Sequence, residues 1–165
     1  MKLLSIAAVA LLVDISASFE VFDEDPKFRR EPKLPVLDVN FGMDCHTPIS
    51  YNAYQVQVAA AEVYAITQRA AISSLNTCTF DRFPGETLFL GRIGGDYVGN
   101  PATYTYHYVM INSAGQFLAG LSRYEVDGGM DYAICKFGPN TRFISYTDSR
   151  RLNTNGDEPY YGSRH

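Results

Sequence analysis

The sequence has no excess of positive charge. Its 14 lysines and arginines stand against 18 aspartates and glutamates, a formal net charge of -4. That excludes a nucleic-acid binder held by bulk charge, but leaves room for a local basic patch. Long apolar runs are scarce. The one at the start, Leu3 to Val13, follows Lys2, is stopped by Asp14 and precedes a small-residue site near Ala17. It is too short to span a bilayer and reads as a secretory signal peptide over residues 1–17. No later run is long enough to cross a membrane, so the mature chain is expected to be soluble and extracellular, or delivered onward from there.

The motifs of familiar chemistry are missing too. The chain has no HExxH, no CxxC and no GxSxG. The glycines at 94–95, 99 and 128–129 lack the strand-glycine-helix context of a phosphate loop. No metal and no cofactor is expected. "NTC", "NSA" and "NPA" fail as glycosylation sites. Histidine is limited to three residues: His46, His107 and the terminal His165. His46 reads as a surface residue on the approach to a helix, and His107 lies in a central strand. Cysteine is also limited to three: Cys45, Cys78 and Cys135. In an oxidising compartment a pair is expected, and three pairings are open. Joining Cys45 to Cys135 would close a loop of about 90 residues, a contribution of roughly 4 kcal/mol, and leave Cys78 over.

What is abundant is tyrosine, with 12 residues, within an aromatic content of 13 %. Tyrosine suits half-buried sheets and interfaces. After the leader, residues 18–36 are charged and proline-rich and predict an extended polar arm, with Arg29-Arg30 as a dibasic processing site. Residues 36–41 predict a short strand. Ser50 to about Ala71 predicts the main helix, capped by Ser50, because Val56, Ala59, Ala60, Val63, Ile66 and Ala70 form one apolar stripe. The period then changes to two. Strands are predicted at 87–93, 103–111, 116–124 and 128–137, with a loop at 94–102, a turn at 112–115 and a bend or bulge at Gly120. In the second strand Tyr104, Tyr106, Tyr108 and Met110 share one face, and His107, Val109 and Ile111 the other. The tail, 138–165, is polar, with one apolar patch at 143–146 able to add a strand. One helix on an antiparallel sheet is an α+β architecture in a single domain, residues 37–137.

Arg82, Arg92, Arg123, Arg142, Arg150 and Arg151 are candidates for a basic face. Interleaved with Tyr97, Tyr104, Tyr106, Tyr108 and Tyr124, they have the residue types that stack on bases and contact phosphates.

The order of helix, sheet, "VMINSAGQFLAGLSRY" and "MDYAICKF" resembles the small secreted guanyl-specific ribonucleases of fungi. It is more similar still to the ribonuclease-like secreted effectors of plant-pathogenic fungi. The resemblance covers about residues 40 to 137 and implies the microbial ribonuclease fold. It also implies a bridge between Cys45 and Cys135. Active members cleave RNA with a Glu base, a His acid and an Arg phosphate clamp. Matched residue by residue, the clamp position holds Tyr108 and the acid position Tyr124, while Glu86 is the nearest acid to the base position. A tyrosine with a pKa near 10 is a poor acid at neutral pH, and it cannot clamp phosphate as arginine does.

The reading that follows is a secreted ribonuclease-like virulence effector without nuclease activity, a monomer that binds a host protein or, weakly, RNA. The binding surface is expected from Tyr97, Tyr106, Tyr108, Arg92, Arg123 and Tyr124. The alternatives are an active endoribonuclease using Glu86, His107 and Arg123, and a small secreted structural or inhibitor protein. The endoribonuclease requires its three side chains to converge in one cleft.

Overall fold

The computed structural model describes residues 19–21, 32–69 and 75–147. The signal peptide, the Arg29-Arg30 pair, Arg150, Arg151 and His165 lie outside the described residues. The architecture is α+β, with a helix packed on a mixed sheet. In chain order the strands are β1 (Phe19–Val21), β2 (Lys33–Pro35), β3 (Gly42–Asp44) and β4 (Ser50–Asn52). Helix α1 (Ala53–Gln68) follows, then β5 (Asn76–Phe80), β6 (Leu88–Val98), β7 (Thr103–Ile111) and β8 (Phe117–Val126). The last strands are β9 (Gly129–Ile134), β10 (Lys136–Phe137) and β11 (Phe143–Ser145). No helix among the described residues is long and apolar enough to cross a membrane.

The main sheet has the order β1-β5-β6-β7-β8-β9. All its neighbours run antiparallel except β1, which lies parallel to β5. The purely antiparallel expectation is corrected by that one strand. β10-β3-β4 and β11-β2 form two small accessory sheets. Residues 18–36 are not simply a solvated arm where they are described. Val21, Leu34 and Val36 are buried, because β1 and β2 pair with β5 and β11 and turn their apolar side chains inward. The tail likewise contributes β11 and the buried Tyr146.

The strand predicted at 36–41 is absent. Asp38 accepts a hydrogen bond from the Asn40 amide, a local turn that competes with strand pairing, and the Phe41 amide returns to the Asp38 carbonyl. The helix cap lies two residues later than Ser50, which is paired opposite Asp44 in β4. Asn52 is the cap: its side chain accepts from the Gln55 amide while the Gln55 side chain accepts from the Asn52 amide. The buried stripe Val56, Ala59, Ala60 and Val63 faces the sheet.

Strand β6 continues through the glycines assigned to a loop. Gly94 and Gly95 pair with His107 and Tyr106. A Cβ on Gly94 would stand 2.3 Å from the Tyr51 hydroxyl, and one on Gly95 would stand 2.5 Å from the Thr105 carbonyl. These glycines admit close neighbours and do not end the strand. The register slips at Ile93, so Arg92 and Gly94 project from opposite faces. Gly120 is not a bulge either. It pairs regularly with Val109, and the irregularity falls at Leu118, between the pairs Met110–Ala119 and Ile111–Phe117. A Cβ on Gly120 would meet the Met43 sulfur at 2.2 Å and Cys135 at 3.0 Å. The strand predicted over 128–137 breaks at Cys135, whose amide donates to the Gly120 carbonyl, and β10 then joins a different sheet.

Two cores occupy the two faces of the sheet. Under α1 lie Val56, Ala60, Val63, Phe89, Val109 and Ile111 with the β3–β4 residues Met43 and Tyr51. The concave face holds Leu34, Phe80, Phe83, Leu88, Met110, Leu118 and Leu121. Each large side chain so buried contributes roughly 1.5–3 kcal/mol. The sheet coils far enough for its two edge strands to meet over this second core. Phe19 of β1 stacks on Tyr132 of β9, with ring centroids 4.1 Å apart and planes 11° from parallel.

The cysteines pair as the resemblance implies. Cys45 and Cys135 are bonded, tying the end of β3 to the end of β9 across a separation of 90 residues. Cys78 is free and buried. Burial pushes its thiol pKa up to about 12.

Candidate functional site

The strand alternation predicted for residues 103–111 holds, and it determines which candidate residues can meet. His107 lies on the helix side with Val109 and is fully buried. Its Nδ1 is 2.7 Å from the Tyr51 hydroxyl, which α1's approach strand β4 carries into the core. Burial lowers the His107 pKa, partly offset by the carboxylates of Asp96 and Asp44. The ring is therefore neutral at neutral pH. Burial likewise raises the Tyr51 pKa, which keeps its proton in place. We assign Tyr51 as donor and His107 Nδ1 as acceptor. Nε2 is buried without a partner among the described residues.

Arg123 belongs to the other face. It stands opposite Tyr106 on one side and Tyr132 on the other, whereas His107 stands opposite Ser122. Facing cross-strand partners share a side of the sheet, so His107 and Arg123 are separated by the sheet itself. Glu86 lies before β6 near its pairing with the end of β7, Phe89 opposite Ile111, while Arg123 pairs with Tyr106, towards the start of β7. The Glu86 carboxylate accepts from the Tyr146 hydroxyl. The three residues of the endoribonuclease alternative are not brought together.

The two positions carried over from the ribonucleases also diverge. Tyr108 faces the concave side opposite Leu121, and Tyr124, adjacent to Arg123, faces the helix side. Tyr124 lines a cavity beside the disulfide together with His46, Thr105 and Ser122. His46 approaches the sheet edge, where its Nε2 lies 2.7 Å from the Ile134 carbonyl.

The remaining candidates gather on the concave side. Tyr97, Tyr104 and Tyr106 form an edge-to-face ladder with centroids 5.0 and 4.8 Å apart. Arg92 lies over it, 5.6 Å from the Tyr104 centroid and 4.8 Å from that of Tyr106, and donates to the Tyr104 hydroxyl at 3.0 Å. Each such cation–aromatic contact is worth about 0.5–1 kcal/mol at an exposed site. Arg123 extends the patch, its guanidinium 5.9 Å from the Tyr132 centroid and its Nε without a partner among the described residues. Of the six predicted binding residues, Tyr97, Tyr106, Tyr108, Arg92 and Arg123 share this face and Tyr124 does not. Of the other arginines, Arg82 is buried against the Phe80 ring, and Arg142 is paired with Asp38. Neither joins the patch.

Sequence reasoning missed Tyr51 and Tyr132. Tyr132 had a readable signal, since "MDYAI" alternates in step with the strand before it. Tyr51 had none, because its partner is 56 residues away. Among the described residues no group of His, Cys, Asp and Glu is arranged to hold a metal ion. The chain matches no protein-family model, no curated protein and no solved structure.

Proposed function

We propose that this chain is a secreted ribonuclease-like effector that cleaves no RNA and acts by binding a host protein through its concave tyrosine–arginine face. The separation of His107 from Arg123 by the thickness of the sheet carries this reading. General acid–base cleavage needs proton donor, base and phosphate clamp around one phosphodiester. The buried, neutral His107 is engaged with Tyr51, and Glu86 is engaged with Tyr146.

A protein partner fits the face better than RNA does. Tyr, Arg and Met are the residue types enriched where protein interfaces carry their binding energy. Tyr97 is 67 % exposed at one end of the ladder, and Met130 is exposed on the neighbouring strand β9. Exposed acids, Glu125 and Asp127, lie close by at the end of β8 and in the turn after it, where they disfavour a phosphate backbone.

The test has two arms. Incubated with single-stranded RNA, the protein yields no product above a buffer blank. Turnover that disappears in His107→Ala overturns the proposal. In the second arm, host-extract proteins retained by the parent are compared with those retained by Arg92→Ala and Tyr97→Ala. A specific partner lost in both variants supports the face. Retention unchanged in both removes it.

A further inference from the structure

Helix α1 is apolar on two sides. Its 16 residues carry one charge, Glu62. The buried stripe of Val56, Ala59, Ala60 and Val63 meets the sheet. At about 100° per residue, Tyr54, Val58, Ala61 and Ala65 form a second stripe, about 180° from the first and about 60° wide. Tyr54 is 73 % and Val58 40 % exposed, and the two alanines are partly exposed. The outward side of a surface helix ordinarily carries charged and polar residues, whereas a helix apolar all round is covered on both sides.

The outer stripe has the four-three-four spacing of a helix–helix seam. It is also graded in size, large at the N-terminal end and small at the C-terminal end. That grading fits a second copy of the same stripe run in the opposite direction. A two-fold axis at the level of the Ala59–Ala60 peptide sets Tyr54 of each copy against Ala65 of the other, and Val58 against Ala61. Every layer then holds one large and one small side chain, and the alanines let the helices approach closely. A parallel pair would put tyrosine on tyrosine and leave a gap between the alanines.

The polar residues beside the seam are complementary in the same arrangement. Gln55 and Glu62 flank the stripe on one side, and antiparallel pairing brings Glu62 of each copy alongside Gln55 of the other. The Gln55 Oε1 accepts from the Asn52 amide in the cap, which leaves Nε2 to donate to a carboxylate, a charge-assisted bond made twice by symmetry. No lysine or arginine of α1 competes for that carboxylate.

We infer that α1 mediates self-association, two copies pairing antiparallel through Tyr54, Val58, Ala61 and Ala65. The helix and the concave patch lie on opposite faces of the sheet, so both tyrosine–arginine faces stay open in the dimer. A contact along one helix of about 24 Å is smaller than a standard interface, which puts Kd on the order of 10–100 µM. The monomer expected from the sequence is then the dilute state. Nothing in this pairing depends on the ribonuclease-like reading.

Sedimentation of the disulfide-bonded protein from about 5 to about 500 µM should show the mass rising from one copy towards two. Val58→Glu puts a carboxylate in each layer beside Glu62 and should weaken association at least about tenfold. Val58 is exposed in the monomer, so thermal unfolding of this variant at the lowest concentration should match the parent. Ala65→Tyr sets tyrosine against Tyr54 and should also weaken the dimer. Adding Tyr54→Ala restores a large and a small side chain in that layer and should recover it. A parent that stays at the mass of one copy overturns the inference, as does a dimer indifferent to Val58→Glu or an Ala65→Tyr loss that Tyr54→Ala does not recover. A monomeric parent whose thermal stability falls with Val58→Glu overturns it too, and assigns the stripe to a segment of the same chain.

Discussion

The Tyr51 hydroxyl and His107 Nδ1, 2.7 Å apart, join the strand before the helix to the centre of the main sheet. Both residues are buried, so the bond has no water to replace it. Tyr51→Phe leaves Nδ1 unpaired in the core and should cost about 1–3 kcal/mol, read as a lowered urea midpoint with an unchanged slope.

The same histidine gives a pH dependence. Its folded-state pKa lies below the ordinary 6.5, so the unfolded chain binds more protons between the two values. Its contribution is complete above 6.5 and is lost as pH falls through the folded-state value. Urea unfolding at pH 5 and pH 7.5 should show lower stability at pH 5. His107→Gln should narrow that difference, and an unchanged difference would assign the effect to other groups.

The disulfide closes a loop of 90 residues and should account for about 4 kcal/mol. The double variant Cys45→Ser, Cys135→Ser should unfold at a much lower denaturant concentration. Cys78, buried and with its pKa raised to about 12, should resist alkylation at pH 8 until the protein is unfolded. Mass spectrometry before and after denaturation reads both states.

Gly91 marks where the helix touches the sheet most closely. A Cβ there would stand 1.7 Å from Val63 Cγ2. Gly91→Ala should therefore destabilise by about 1–3 kcal/mol through overpacking. Adding Val63→Ala should recover part of that loss, a coupling that a double-mutant cycle measures directly.

Arg92→Ala and Tyr97→Ala remove exposed side chains from the concave patch and should change stability by no more than about 1 kcal/mol. Thermal denaturation checks this, and agreement allows any lost binding to be read as lost contact.

Helix, hairpin and face were legible in the sequence where a period repeated. The stripe from Val56 to Val63 placed α1, and the alternation over 103–111 put His107 on one face with Val109 and Tyr104, Tyr106 and Tyr108 on the other. Elements without such repetition stayed hidden. β5 reads "NTCTF", too short to show a period, and β1 and β2 lie among charges and prolines. Gly94 and Gly95 looked like a loop because a sequence cannot show that Tyr51 and Tyr104 need the space. The separation of His107 from Arg123 follows from alternation alone once the register is known. The resemblance supplied the disulfide, since composition left three pairings open.

The stacked rings of Phe19 and Tyr132 place residues 19–21 at the seam of the coiled sheet. These residues lie upstream of Arg29-Arg30. Cleavage there followed by loss of the released segment would strip β1 from β5 and bare a row of unpaired amides and carbonyls. The protein would then offer an open strand edge, able to take up an extended peptide by backbone pairing. Maturation and exposure of that edge would be a single event.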